Sequence, residues 1–165
     1  TVERSQAFLD RVLPGSPARI GWTLPGRWPR SIRDADWAAE RALRVRVVKG
    51  MWADPQTPDT DPREGYLRVV DTLARHRIEV AVAGHDMALI QSALSRLRDC
   101  GVSCELELLR GLPWREQLGV ASRLGLTARV YVGYGRDYLK HAVTHVLRHP
   151  RVMLWIAGDL IRLRT

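Results

Sequence analysis

The chain has one phenylalanine, two cysteines and, among its many cations, only two lysines, Lys49 and Lys140, in 165 residues. No apolar run approaches the ~20 residues that cross a bilayer as a helix. No basic-then-apolar leader opens the chain, which starts Thr1-Val-Glu-Arg without an initiator methionine. Such a start is expected of a segment inside a longer precursor. Cys100 and Cys104 lack the companion pair that a four-ligand zinc site needs. They are expected as reduced thiols packed as small apolar residues, in a cytoplasmic protein. No low-complexity tract or linker divides the chain, so residues 1–165 are expected to form a single domain. G-x-G-x-x-G does not follow the first β-like run, which removes the main signature of a dinucleotide-binding doubly wound fold.

What is present is ordinary in bulk: 45% hydrophobic and 27% charged residues. A chain of this length buries ~70% of its unfolded surface. The formal charge is +8, from 26 Lys and Arg against 18 acids. The arginines are scattered, with no run of five, so nucleic-acid binding is not expected.

Short β-like runs alternate with helical patterns. The runs are Ala18–Leu24, Arg44–Lys49, Ile78–Ala83, Cys104–Leu109 and Ala128–Val132. The helical patterns are Val2–Leu13, Ser31–Leu43, Pro62–Arg77, Asp86–Asp99, Trp114–Leu124 and Asp137–His149, with Arg151–Leu163 as a terminal packing helix. Met87, Ile90, Leu94 and Leu97 form an amphipathic stripe that reads as core. Five strand–helix alternations predict a parallel sheet with helical crossovers. The strands read as mostly apolar throughout, as strands covered on both faces do. The fold class predicted is α/β, a parallel (β/α) barrel of the TIM type, with about five of its eight units in this chain.

In such a barrel, function sits at the C-terminal strand ends. The most informative segment is Arg44-Val-Arg-Val-Val-Lys-Gly50-Met-Trp52, a short strand carrying Arg46 and Lys49 and broken by glycine. A cation inside a strand needs an anion to meet it, or must snorkel from an exposed end. Later strands end in Gly84-His85-Asp86, Arg110-Gly111 and Tyr131-Val-Gly133-Tyr134-Gly135. His85 either ties down a neighbouring loop or meets a ligand ring. Asp86 also suits the N-cap of the next helix. His141, His145 and His149 share a helical face at i, i+4, i+8, but no carboxylate joins them and no metal site is expected.

Together and in order, these segments resemble the C-terminal part of the proline dehydrogenase family, flavin-binding (β/α)8 barrels that oxidise proline. Arg46-Val-Val-Lys49-Gly50-Met-Trp52 is similar to the family's R-L-V-K-G-A-Y-W. Val82-Ala-Gly84-His85-Asp86 is similar to V-A-T-H-N, and Glu105-Leu-Glu-Leu-Leu-Arg110-Gly111 to E-F-Q-M-L-Y-G. Arg129-Val-Tyr131-Val-Gly-Tyr134-Gly135-Arg-Asp137 is similar to R-V-Y-V-P-Y-G-E-D. The resemblance spans roughly residues 18–162. It implies FAD as cofactor, held by Arg46, Val48, Lys49, Gly50, Trp52, Gly84, His85 and Asp86, with Arg46 facing the reactive flavin nitrogen as the catalytic residue. It implies a substrate pocket lined by Leu109, Tyr131, His141, Thr144 and His145.

The chain departs from the family where it matters most. The family's final helix carries Y-x-x-R-R-x-x-E, whose arginines clamp the substrate carboxylate. The corresponding places hold His141, Thr144, His145 and Arg148. No bidentate carboxylate fork remains there. The first three βα units would come from the same precursor or another chain. The implied activity is oxidation of the C–N bond of proline or a related amino acid, with hydride transfer to the flavin. A quinone or other electron acceptor and peripheral membrane association are the further partners it admits. The alternative is a degenerate, inactive barrel serving as a binding or assembly module; a weaker one is a phosphate- or nucleotide-binding barrel using Arg46 and Lys49.

Overall fold

A computed structural model describes residues 2–15, 20–110, 112, 114–133 and 135. In chain order its elements are α1 (Val2–Val12), a 3-10 turn (Leu13–Gly15), β1 (Gly21–Pro25), α2 (Ser31–Glu40), β2 (Arg44–Val48), α3 (Pro62–His76), β3 (Val80–Ala83), α4 (Met87–Asp99), β4 (Cys104–Leu109), α5 (Arg115–Arg123) and β5 (Ala128–Tyr131). All five strands form one parallel sheet in the order β1-β2-β3-β4-β5. Strictly sequential order, with a helix between successive strands, is the progression of a (β/α) barrel. A doubly wound sheet reverses its order partway. The predicted helices at Asp137–His149 and Arg151–Leu163 lie outside the described residues.

Local chemistry sets the helix ends. Asp61 caps α3 by accepting from the Arg63 and Glu64 amides, with Pro62 at the first helical position. Asp86 caps α4 through the Leu89 amide at 3.2 Å, the role its position suggested. α2 stops at Glu40, three residues before the predicted end. Ala42 there takes a positive φ of 51°, and the Leu43 amide turns back to the Ala38 carbonyl at 3.0 Å. That reversal sends Leu43 into the core before β2 begins.

The core lies between the sheet and one layer of helices. Val45, Val47, Val80, Val82, Leu106 and Leu108 meet Val69 and Leu73 of α3 and Ile90, Leu94 and Leu97 of α4. Met87 packs against this cluster from its edge. The closest approach is between α3 and the loop after β1: a Cβ on Gly65 would sit 1.9 Å from the Gly26 carbonyl oxygen. Only glycine lets these backbones meet.

One expectation is corrected. The strands are not apolar on both faces; β2 alternates buried valines with Arg44 and Arg46, and β4 carries Glu105 and Glu107. Only β3 is buried throughout. The second face is polar because it carries a lattice of ion pairs.

Candidate functional site

The sheet register puts Arg44 and Arg46 of β2, Ala81 and Ala83 of β3, Glu105, Glu107 and Leu109 of β4, and Arg129 and Tyr131 of β5 on the face away from the helices. In barrel geometry this is the inner face. Arg46 Nε donates to Glu107 Oε2 at 2.5 Å, and Arg44 Nη2 donates to Glu107 Oε1 at 2.8 Å. Arg44 also pairs with Glu105, and its Nε reaches Glu79 at 3.2 Å. Arg129 Nε binds both oxygens of Glu105 at 2.7 and 2.8 Å. Strands β2 and β4 stand two spacings apart, roughly 9–10 Å. Their side chains join because β3 between them offers only Ala81 and Ala83, both buried beneath the lattice.

The lattice sets the electrostatics. The Glu107 side chain is only 11% exposed. Burial works against its charge, but the hydrogen bonds from Arg44 and Arg46 prevail and hold its carboxyl below the usual range. Burial likewise opposes the Arg44 cation, while Glu107, Glu105 and Glu79 outweigh it and raise its pKa. Arg46 is more open, its side chain 37% exposed. Its terminal guanidinium nitrogens have no partner among the described residues, and Nε alone is tied down.

At the C-terminal rim, Asp86 gathers three elements. It caps α4, accepts from Lys49 Nζ at 3.1 Å beyond β2, and pairs with Arg63 of the first turn of α3. Burial alone would raise its pKa; Lys49, the Leu89 amide and Arg63 lower it below the ordinary value. Two cations share one carboxylate, so this corner of the rim is net positive.

His85 makes the loop-tying contact. Its Nε2 accepts from the Leu109 amide at 3.0 Å, and the Gln117 amide of α5 donates to its carbonyl at 3.0 Å. An accepting Nε2 leaves the imidazole neutral, with its proton on Nδ1. Gly50 has a conformational reason of its own, φ +93°, and a Cβ there would approach Arg27 and Pro25 to 2.9 Å. Val48 ends β2 half-buried, and a Cβ on Gly84 would meet nothing within 4 Å. Trp52 is 62% exposed, its carbonyl accepting from Trp28 Nε1 at 2.9 Å. Leu109 and Tyr131 are register partners, but Tyr131 is 61% exposed on the last described strand. His141, Thr144 and His145 lie outside the described residues.

The structure therefore brings Arg46, Lys49, His85, Asp86 and Leu109 to one face and one rim. Sequence reading missed Arg44, Arg63, Glu105, Glu107 and Gln117 as members. A signal for the lattice was available: Arg-x-Arg on one strand and Glu-x-Glu on another, each with the period of two that puts both charges on one face.

No family model matches the chain. A proline dehydrogenase of Deinococcus radiodurans is 25% identical over 150 residues, which is 87% of this chain and 48% of the relative. A crystal structure of proline utilization A (PutA) from Bdellovibrio bacteriovorus, inactivated by N-propargylglycine, superimposes with a TM-score of 0.67. It is 17% identical and covers 82% of this chain and 17% of that one. The chain is similar to a proline dehydrogenase over most of its own length. Its sheet corresponds to part of a TIM-type barrel, and it spans about half the length of the curated relative it matches.

Proposed function

We propose that this chain forms the C-terminal five βα units of a flavin-dependent oxidoreductase, which oxidises the C–N bond of proline or a related amino acid. The observation that carries the reading is Arg46. It stands on the inner face of β2, anchored at Nε by Glu107, with its terminal nitrogens unpartnered among the described residues. An anchored cation of this kind suits a site where negative charge develops.

The donor set fits FAD. Arg46 would face the ring system, and the Lys49–Arg63 pair gives the rim the positive surplus that phosphate groups favour. Gly84 leaves open space beside the rim, and His85 holds the β4 end in place through Leu109. When bound, the flavin would supply the two-electron chemistry. The chain's residues would bind it, orient it and stabilise its charge. The coarse class, proline dehydrogenase-like, is carried by the curated relative; the cofactor, substrate and missing units are our proposal. Because Thr144 and His145 stand where the family has its carboxylate-clamping arginines, the favoured substrate is an amine other than ordinary proline.

The test is an absorbance spectrum of the intact purified polypeptide, followed by anaerobic addition of proline and of related cyclic and N-alkyl amino acids. A flavin band bleached by one of these amines is expected. Protein without flavin, even after incubation with FAD, would refute the proposal.

A further inference from the structure

We infer that Glu107 is a positioning residue for Arg46: it aims the guanidinium and offsets the positive charge that Arg46 delivers to a bound flavin. The inference rests on the flavin reading above and goes beyond it, because it concerns a residue with no assigned role.

Three observations carry it. Glu107 is the one partner of Arg46 among the described residues, and it binds Nε rather than the terminal nitrogens. Holding Nε leaves the two terminal nitrogens, a ready bidentate fork, for whatever occupies the inner face. Second, Glu107 is itself fixed from the other side by Arg44, and Arg44 is fixed by Glu105 and Glu79. Among the described residues, Arg46 is thus an open end of a chain of ion pairs anchored in β2, β4 and the turn before β3. Third, the lattice of Arg44, Arg46 and Arg129 against Glu79, Glu105 and Glu107 balances to zero. A glutamine at 107 would preserve shape and acceptor but release one net positive charge toward the inner face. The same strand position is glutamine in the family motif that this chain resembles, so the carboxylate is a property of this chain.

A cation near the flavin ring favours the reduced, more negative cofactor. Glu107→Gln should therefore raise the flavin midpoint potential. An expected tenfold gain in the reduction equilibrium corresponds to about 30 mV for a two-electron couple. Glu107→Asp keeps the charge but withdraws the carboxylate by one methylene; Arg46 is drawn back toward β4 and the potential falls below wild type.

Both variants are made in the intact polypeptide, and flavin content, thermal melting and midpoint potential are measured for each. Opposite shifts for the two variants support the inference. A folded, flavin-loaded Glu107→Gln protein with the wild-type potential overturns it. If that variant fails to fold, Glu107→Asp decides, and a wild-type potential there overturns it equally. Wild-type protein that binds no flavin fails at the first measurement, which refutes the functional reading and this inference with it.

Discussion

Gly65→Ala tests the packing that holds the rim together. A Cβ at Gly65 falls 1.9 Å from the Gly26 carbonyl oxygen, against a floor of 3.0 Å for real Cβ contacts. One backbone must retreat by at least 1.1 Å. Neither can do so cheaply: α3 is sealed into the core by Val69, Val70 and Leu73, and Gly26 donates to the Val48 carbonyl at 2.7 Å. Gly26 is equally tight, since its own Cβ would meet the Tyr66 amide nitrogen at 2.5 Å. Overpacking costs ~1–3 kcal/mol or more, and disturbing the Gly26 and Thr60 backbone bonds adds ~1 kcal/mol each. The alanine recovers ~1 kcal/mol of helix propensity. The net loss is about 2–4 kcal/mol, roughly 5–12 °C in melting temperature at this size. Gly119→Ala in α5 is the control, because its Cβ would meet Arg123 Nη1 no closer than 3.4 Å. That change should stabilise by ~0.5–1 kcal/mol. Urea and thermal unfolding of the two variants measure the contrast. Equal midpoints for Gly65→Ala and wild type would refute the close-packing argument.

Three further outcomes are expected. Arg46→Ala in the intact protein should weaken flavin binding or slow flavin reduction about tenfold to a hundredfold, the loss of a charge-assisted contact worth ~1.5–3 kcal/mol; flavin titration and stopped-flow reduction read it. Glu107 and Asp86 both have depressed pKa values, so the stability they add is present above their unfolded values near ~4 and lost as pH falls through the lower folded values. Unfolding midpoints should therefore drop below about pH 5, and Asp86→Asn, which keeps a capping oxygen, should flatten that drop while costing no more than ~1 kcal/mol at neutral pH. Thr144→Arg with His145→Arg should tighten proline binding, read as the proline concentration giving half-maximal flavin reduction; efficient proline turnover by the unaltered protein would count against the reasoning.

The fold was legible because helix and strand periods differ and alternate five times, and because caps such as Asp61-Pro62 and Asp86 announce helix starts. The strand ends were also legible, since Lys49-Gly50 and Gly84-His85-Asp86 break apolar runs. Three-dimensional partnership was not. Arg46 and Glu107 lie 61 residues apart, and nothing local pairs them. Their meeting depends on Ala81 and Ala83 being small, and that only acquires meaning once β3 is known to lie between β2 and β4. His85 shows the same limit: its imidazole ties down the Leu109 amide, 24 residues further along the chain, and nothing local to His85 announces that partner.

The inner face is built differently from the rim, and the difference bears on function. Below, three arginines and three glutamates balance and fix one another, with Glu105 and Glu107 almost withdrawn from solvent. At the rim, Lys49 and Arg63 share a single Asp86 and remain largely exposed. A balanced, interlocked lattice suits preorganisation, because its members cannot reorient without breaking several bonds together. A loose cationic excess suits capture of an anion, because its members can trade one carboxylate for another partner at small cost. Arg46 lies where the two regimes join, with one nitrogen in the lattice and two facing outward. Glu107 holds such a residue at one nitrogen and leaves the other two available, and that combination suits the role proposed for Arg46 beside a flavin.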